Sequence, residues 1–150
     1  MENYRSDYKL TLPNKLLLEQ IIGHTAQGKS VRIPVKGNSM RPFLYAGDQV
    51  LLKPVEKREL QLGMIVLAHM EGAMILHRVV KFGQESLWLA GDANLAQHEE
   101  LQYGHVLGRV VLLYRRNRVI QLNQQWRYKQ GQLWYRARPL RRVFRKIWSL

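Results

Sequence analysis

The chain has 150 residues, enough for one globular domain with a hydrophobic core and too few for two of average size. It contains no cysteine, which excludes disulfides, thiolate metal sites and cysteine nucleophiles together and leaves covalent catalysis to Ser, Thr or Lys. The net charge of +13 is unevenly spread: eleven of the 24 Lys and Arg, and none of the 11 Asp and Glu, lie from Arg115 onward.

The first twelve residues mix Glu2, Arg5, Asp7 and Lys9 with no apolar core of the kind a secretory signal needs, and no run of 18 apolar residues occurs anywhere. The expectation is a cytoplasmic protein without a membrane span. Leu16, Leu17, Leu18, Ile21 and Ile22 then recur at helical spacing ahead of Gly28, which predicts an amphipathic helix over 14–27. From Val31 the texture changes to short apolar runs punctuated by Gly and Pro, at 31–35, 49–52, 64–68, 74–82, 87–90 and 106–114. These read as closely spaced strands of a β-rich domain, with Glu71-Gly72 and Gly83-Gln84 as hairpin tips.

The organisation read from this texture is a helical segment over 1–30, a β domain over 31–114 and a basic tail over 115–150. In the tail, Leu133, Ala137, Leu140, Phe144, Ile147 and Trp148 form an apolar stripe, and Arg136, Arg138, Arg141, Arg142, Arg145 and Lys146 fill the positions between. With Pro139 as a start signal, a helix of about three turns is expected. Its first-choice partner is an anionic membrane surface on the cytoplasmic side, through residues 133–150. Docking on the β domain and binding of nucleic acid, with Trp126, Trp134 and Trp148 as stacking platforms, are the rivals.

Within the β region, Gly37-Asn38-Ser39-Met40-Arg41-Pro42 follows a strand and displays Ser39 on a turn, where serine is also common for purely structural reasons. His77 sits inside an apolar strand, so it is either a hydrogen-bonded core histidine or a base. Arg78 either holds a carboxylate such as Asp92 or is solvated. His24, His69, His98 and His105 lack metal-ligand spacing, and neither a metal nor a cofactor is expected.

Five boxes in order, Gly-x-Ser-Met-x-Pro from Gly37, Gly-Asp-x-Val-Leu from Gly47, Leu-x-Leu-Gly-x-Ile-Val from Leu60, His-Arg-Val-Val from His77 and Gly-Asp-x-Asn from Gly91, resemble the type I signal peptidases and the related self-cleaving repressors. The resemblance covers residues 31–112 and implies a mainly β fold, flanked here by the N-terminal helix and the basic C-terminal helix. It implies a serine endopeptidase that cleaves a leader, signal or pro-peptide, with Ser39 as nucleophile. The base position, a lysine in many bacterial members, is His77, as in the histidine branch. Gly37, Asn38, Met40 and Pro42 would border the substrate. The imidazole should be oriented by an acid, for which Asp92, inside a matched box, is the first choice and Glu99 and Glu100 are the alternatives. Gly37 stands where a hydroxyl is often found, which leaves the oxyanion to backbone N–H groups. The rival reading is a module that keeps the fold to bind peptide or nucleic acid without catalysis.

Overall fold

The computed structural model describes residues 14–149. Helix α1, Asn14–Ala26, buries Leu17 and Ile21, one helical turn apart, and leaves Leu16 and Ile22 exposed. It ends where the Gly28 N–H donates to the Thr25 carbonyl and the Lys29 N–H to the His24 carbonyl, with Gly28 in the left-handed region that such a cap requires.

Eight strands follow: β1 Val31–Pro34, β2 Gln49–Lys53, β3 Ile65–Met70, β4 Ala73–Phe82, β5 Ser86–Ala90, β6 Glu99–Gln102, β7 Val106–Arg115 and β8 Arg118–Gln121. All pair antiparallel in one sheet of order β1-β2-β7-β3-β4-β5-β6, and β8 joins the second half of β7. The β-rich expectation is met, with β6 and β8 added. The β3–β4 tip is the Glu71-Gly72 pair, and both residues have positive φ, as a tight hairpin turn demands.

The apolar run of β3 shows why the strands lack strict alternation. Ile65 and Leu67 join a cluster with Leu17, Ile21, Val31, Ile33, Leu44 and Leu52, whereas Val66 and Ala68 join a second one with Val79, Leu87, Leu89 and Leu101. Side chains alternate across a sheet. A strand with a core on each face therefore has to be apolar at every position.

The chain closes with α2, Gln125–Arg136, and α3, Arg138–Trp148. Tyr128 of α2 enters the second core cluster. Gly131 lies against Arg78, where a Cβ would come 2.2 Å from Nη1, so only glycine lets the helix settle there. No helix among the described residues is long and apolar enough to cross a membrane.

Two strand edges frame a cavity of about 280 Å³. β5 pairs with β4 only from Arg78 onward, so the stretch 73–77 has no strand on that side among the described residues, and β1 is the terminal strand of the sheet. Ile33, Val35, Met40, Leu67 and Leu76 supply apolar walls, and α1 closes the back with Leu17 and Ile21. Ser39 and His77 both open onto this cavity.

Candidate active site

Ser39 begins the turn that follows β1, tightened by hydrogen bonds from the Phe43 and Leu44 N–H groups to the Met40 carbonyl. Its Oγ lies 3.2 Å from His77 Nε2. On the far side of the ring, His77 Nδ1 lies 2.9 Å from Glu99 Oε2. The imidazole is nearly buried, its side chain 8% exposed, and Glu99 keeps 24%. With the ring proton on Nδ1 donated to Glu99, the Nε2 lone pair faces the Ser39 hydroxyl as an acceptor.

Strand geometry decides which acid reaches the ring. Glu99 pairs with Leu89 at the start of β6 and turns toward His77, while Glu100, on the opposite face, accepts a hydrogen bond from Ser86 Oγ. Asp92, the expected orienter, is engaged elsewhere. Its two oxygens accept from Arg78 Nε and Nη2, each at 2.7 Å, and Arg78 Nη1 donates to the Gly63 carbonyl at 2.7 Å. Both side chains are almost fully buried. Burial pushes the Asp92 carboxyl above its ordinary range, against the hydrogen bonds and charge of Arg78 and the charges of Arg141 and His77. Asp92, expected to orient the imidazole, thus contacts the buried guanidinium of Arg78, and the carboxylate beside the His77 ring is that of Glu99.

The earlier Gly-Asp box is built in the same way. Asp48 accepts from Arg115 Nε and Nη2 and from the Tyr45 N–H, tying the turn after Ser39 to the end of β7. Burial opposes ionisation of Asp48, but these hydrogen bonds and the Arg115 charge outweigh it and hold the carboxyl below its ordinary value.

Gly91 explains its own box. A Cβ there would lie 2.7 Å from the Ser39 carbonyl oxygen and 3.1 Å from His77 Nε2, so a side chain would push the serine turn away from the imidazole. The same carbonyl accepts from the Ala93 N–H at 2.9 Å. The connection from β5 to β6 therefore touches the Ser39 turn at one end and carries Glu99 at the other.

That connection is held by residues the sequence reading did not assign to the site. The Asp92 carbonyl accepts from Trp134 Nε1 and Arg141 Nη1, the Asn94 carbonyl from Arg138 Nε, the Gln97 carbonyl from Arg138 Nη2 and the Leu95 carbonyl from Arg142 Nε. No motif announces this, because a backbone acceptor leaves no mark in the sequence.

Of the expected substrate-bordering residues, Met40 is buried and floors the cavity, and Gly37, with positive φ, and Asn38 lie exposed just before Ser39. Pro42 is placed differently: it lines a second groove with Phe43, Leu133, Trp134 and Ala137. Lys36 also lines the cavity. No cluster of His, Asp or Glu suited to a metal ion occurs among the described residues. A family model described as Peptidase S24-like matches residues 1–111, which stops short of α2 and α3. A search of curated proteins finds no match.

Proposed function

The chain belongs to the Peptidase S24-like family, and from that premise we propose that it is a serine endopeptidase that cleaves a leader, signal or pro-peptide by a Ser39–His77–Glu99 mechanism. The observation that carries the reading is the approach of Ser39 Oγ to His77 Nε2 at 3.2 Å beside an apolar cavity. A serine hydroxyl is a poor nucleophile until a neighbouring base accepts its proton, and such contacts are often loose before substrate binds.

An extended peptide would enter between the outer edge of β1 and the first half of β4, adding its backbone hydrogen bonds to those edges. Alternate side chains of such a strand point the same way, which seats apolar residues in the cavity and brings a carbonyl carbon to Ser39 Oγ. As Oγ bonds to that carbon, its proton passes to His77 Nε2. The resulting imidazolium is stabilised by the Glu99 carboxylate at Nδ1. Collapse of the tetrahedral intermediate breaks the C–N bond and the leaving nitrogen takes the proton from Nε2. Water that gives its proton to His77 Nε2 then attacks the acyl-serine ester, and the proton passes to Ser39 Oγ as the ester C–O bond breaks. General acid–base catalysis of this kind contributes about 10²–10⁴ in rate.

A mixed peptide library incubated with the full-length protein, with product termini read by mass spectrometry, tests the reading. Cleavage is expected after residues with apolar side chains that fit the cavity. Intact peptides throughout would favour the rival, a non-catalytic peptide-binding module.

A further inference from the structure

Helix α3 is mounted with its amphipathicity inverted. Arg138, Arg141 and Arg142 lie along one face and spend their N–H donors on carbonyl oxygens of the 92–97 connection and of Trp134. The opposite face carries Leu140, Val143, Phe144 and Ile147 at i, i+3, i+4 and i+7, followed by Trp148, and these side chains are 55–87% exposed. A surface helix of a globular protein ordinarily turns such a stripe inward. Here Arg138, only 5% exposed, fixes the opposite orientation, and the apolar face is left to the surroundings.

We propose that this face docks onto an anionic lipid bilayer, with α3 lying in the plane of the interface. Charge selects the occupant. From Arg115 onward the chain holds eleven Lys and Arg and no acid, and Lys129, Arg136, Arg145 and Lys146 are exposed on α2 and α3. A second copy would bring an equally cationic helix against the first, so self-association through this face meets like-charge repulsion. Nucleic acid would satisfy the cations and could stack on Phe144 and Trp148, but it leaves aliphatic Leu140, Val143 and Ile147, which cannot stack on bases, without a partner. An anionic bilayer satisfies both halves: the apolar side chains enter to a depth of about 5–10 Å and the cations meet phosphate headgroups.

The inference is independent of the peptidase chemistry, and its test needs no turnover. Full-length protein is sedimented with vesicles of phosphatidylcholine alone and with vesicles containing phosphatidylglycerol, beside the triple variant Leu140→Ser, Phe144→Ser, Ile147→Ser. Because the three side chains are exposed, the variant should melt as the parent does. The parent should bind the anionic vesicles far more than the neutral ones and weaken with salt, and the variant's affinity for the anionic vesicles should fall about tenfold or more. Equal binding by parent and variant overturns the proposal, as does a parent that binds neither vesicle. A concentration-dependent dimer that the triple substitution abolishes, or single-stranded RNA bound more tightly than anionic vesicles at the same salt, overturns it in favour of those occupants.

Discussion

Replacing Ser39 or His77 with alanine is expected to lower peptide cleavage by about 10⁴-fold or more, and the double variant should be no slower than the worse single one. The non-additivity is the informative part. If Nε2 exists to accept the Ser39 proton, removing it after the hydroxyl has gone costs nothing further. Ser39→Ala should leave the thermal transition unchanged, since a half-buried hydroxyl leaves no cavity of consequence. His77→Ala removes a buried ring and leaves Glu99 without its partner, a loss of about 1–3 kcal/mol, so rates are compared well below the transition. Cleavage that survives His77→Ala would move the base to another side chain, with Lys36 first because it lines the same cavity.

The second expected result separates two acids that the sequence left as rivals. Arg78→Ala strands the Asp92 carboxylate in the interior and should destabilise the fold by about 3–5 kcal/mol. Replacing both members together, Arg78→Met with Asp92→Leu, should recover much of that loss, because no buried charge is then unpaired. Glu99→Gln should do the reverse. A glutamine can still receive the Nδ1 hydrogen bond, and the site is partly exposed, so unfolding should shift by less than about 1 kcal/mol. Without the negative charge the imidazolium loses its stabiliser, and kcat should fall by about 10²–10⁴-fold with a smaller change in KM. Denaturant melts and steady-state kinetics of the three variants check this. An Asp92→Asn variant that folds normally and loses cleavage, beside a silent Glu99→Gln, would restore Asp92 as the orienting acid.

Why Asp92 and not Glu99 stood out in the sequence has a physical explanation. Gly91-Asp92 is a legible box because each residue meets a strict demand: a close backbone approach to Ser39 and His77 at one, and a buried guanidinium at the other. Either demand produces a recognisable residue, and neither reveals that the demand is structural. Glu99 sits in β6, whose sequence Glu-Glu-Leu-Gln buries only Leu101, so no apolar alternation marks a strand there. Without the strand, its pairing with β5 and the side to which Glu99 turns were both out of reach. β8, with no buried residue, escaped for the same reason, and α2 because its inward face is made by Tyr128 and Gly131 rather than by an aliphatic stripe.

The long central strands were readable because strands covered on both faces are apolar along most of their length, and the β3–β4 turn because Glu71-Gly72 carries its own chemistry. The tail lies between these extremes. Its apolar stripe and basic positions were visible, but the direction in which the helix would turn was not. That depends on the carbonyl oxygens of the 92–97 connection capturing Arg138, Arg141 and Arg142. The same contacts hold the segment that joins the Ser39 turn to Glu99.

The central claim is that Ser39 is a nucleophile activated by His77, and covalent labelling by a fluorophosphonate tests it without knowledge of the substrate. Tryptic peptides of the labelled protein, read by mass spectrometry, should carry one adduct on the fragment containing Ser39. The adduct should vanish in Ser39→Ala and form much more slowly in His77→Ala. An unlabelled Ser39 under conditions that label a known serine hydrolase, or labelling at an undiminished rate in His77→Ala, would contradict it.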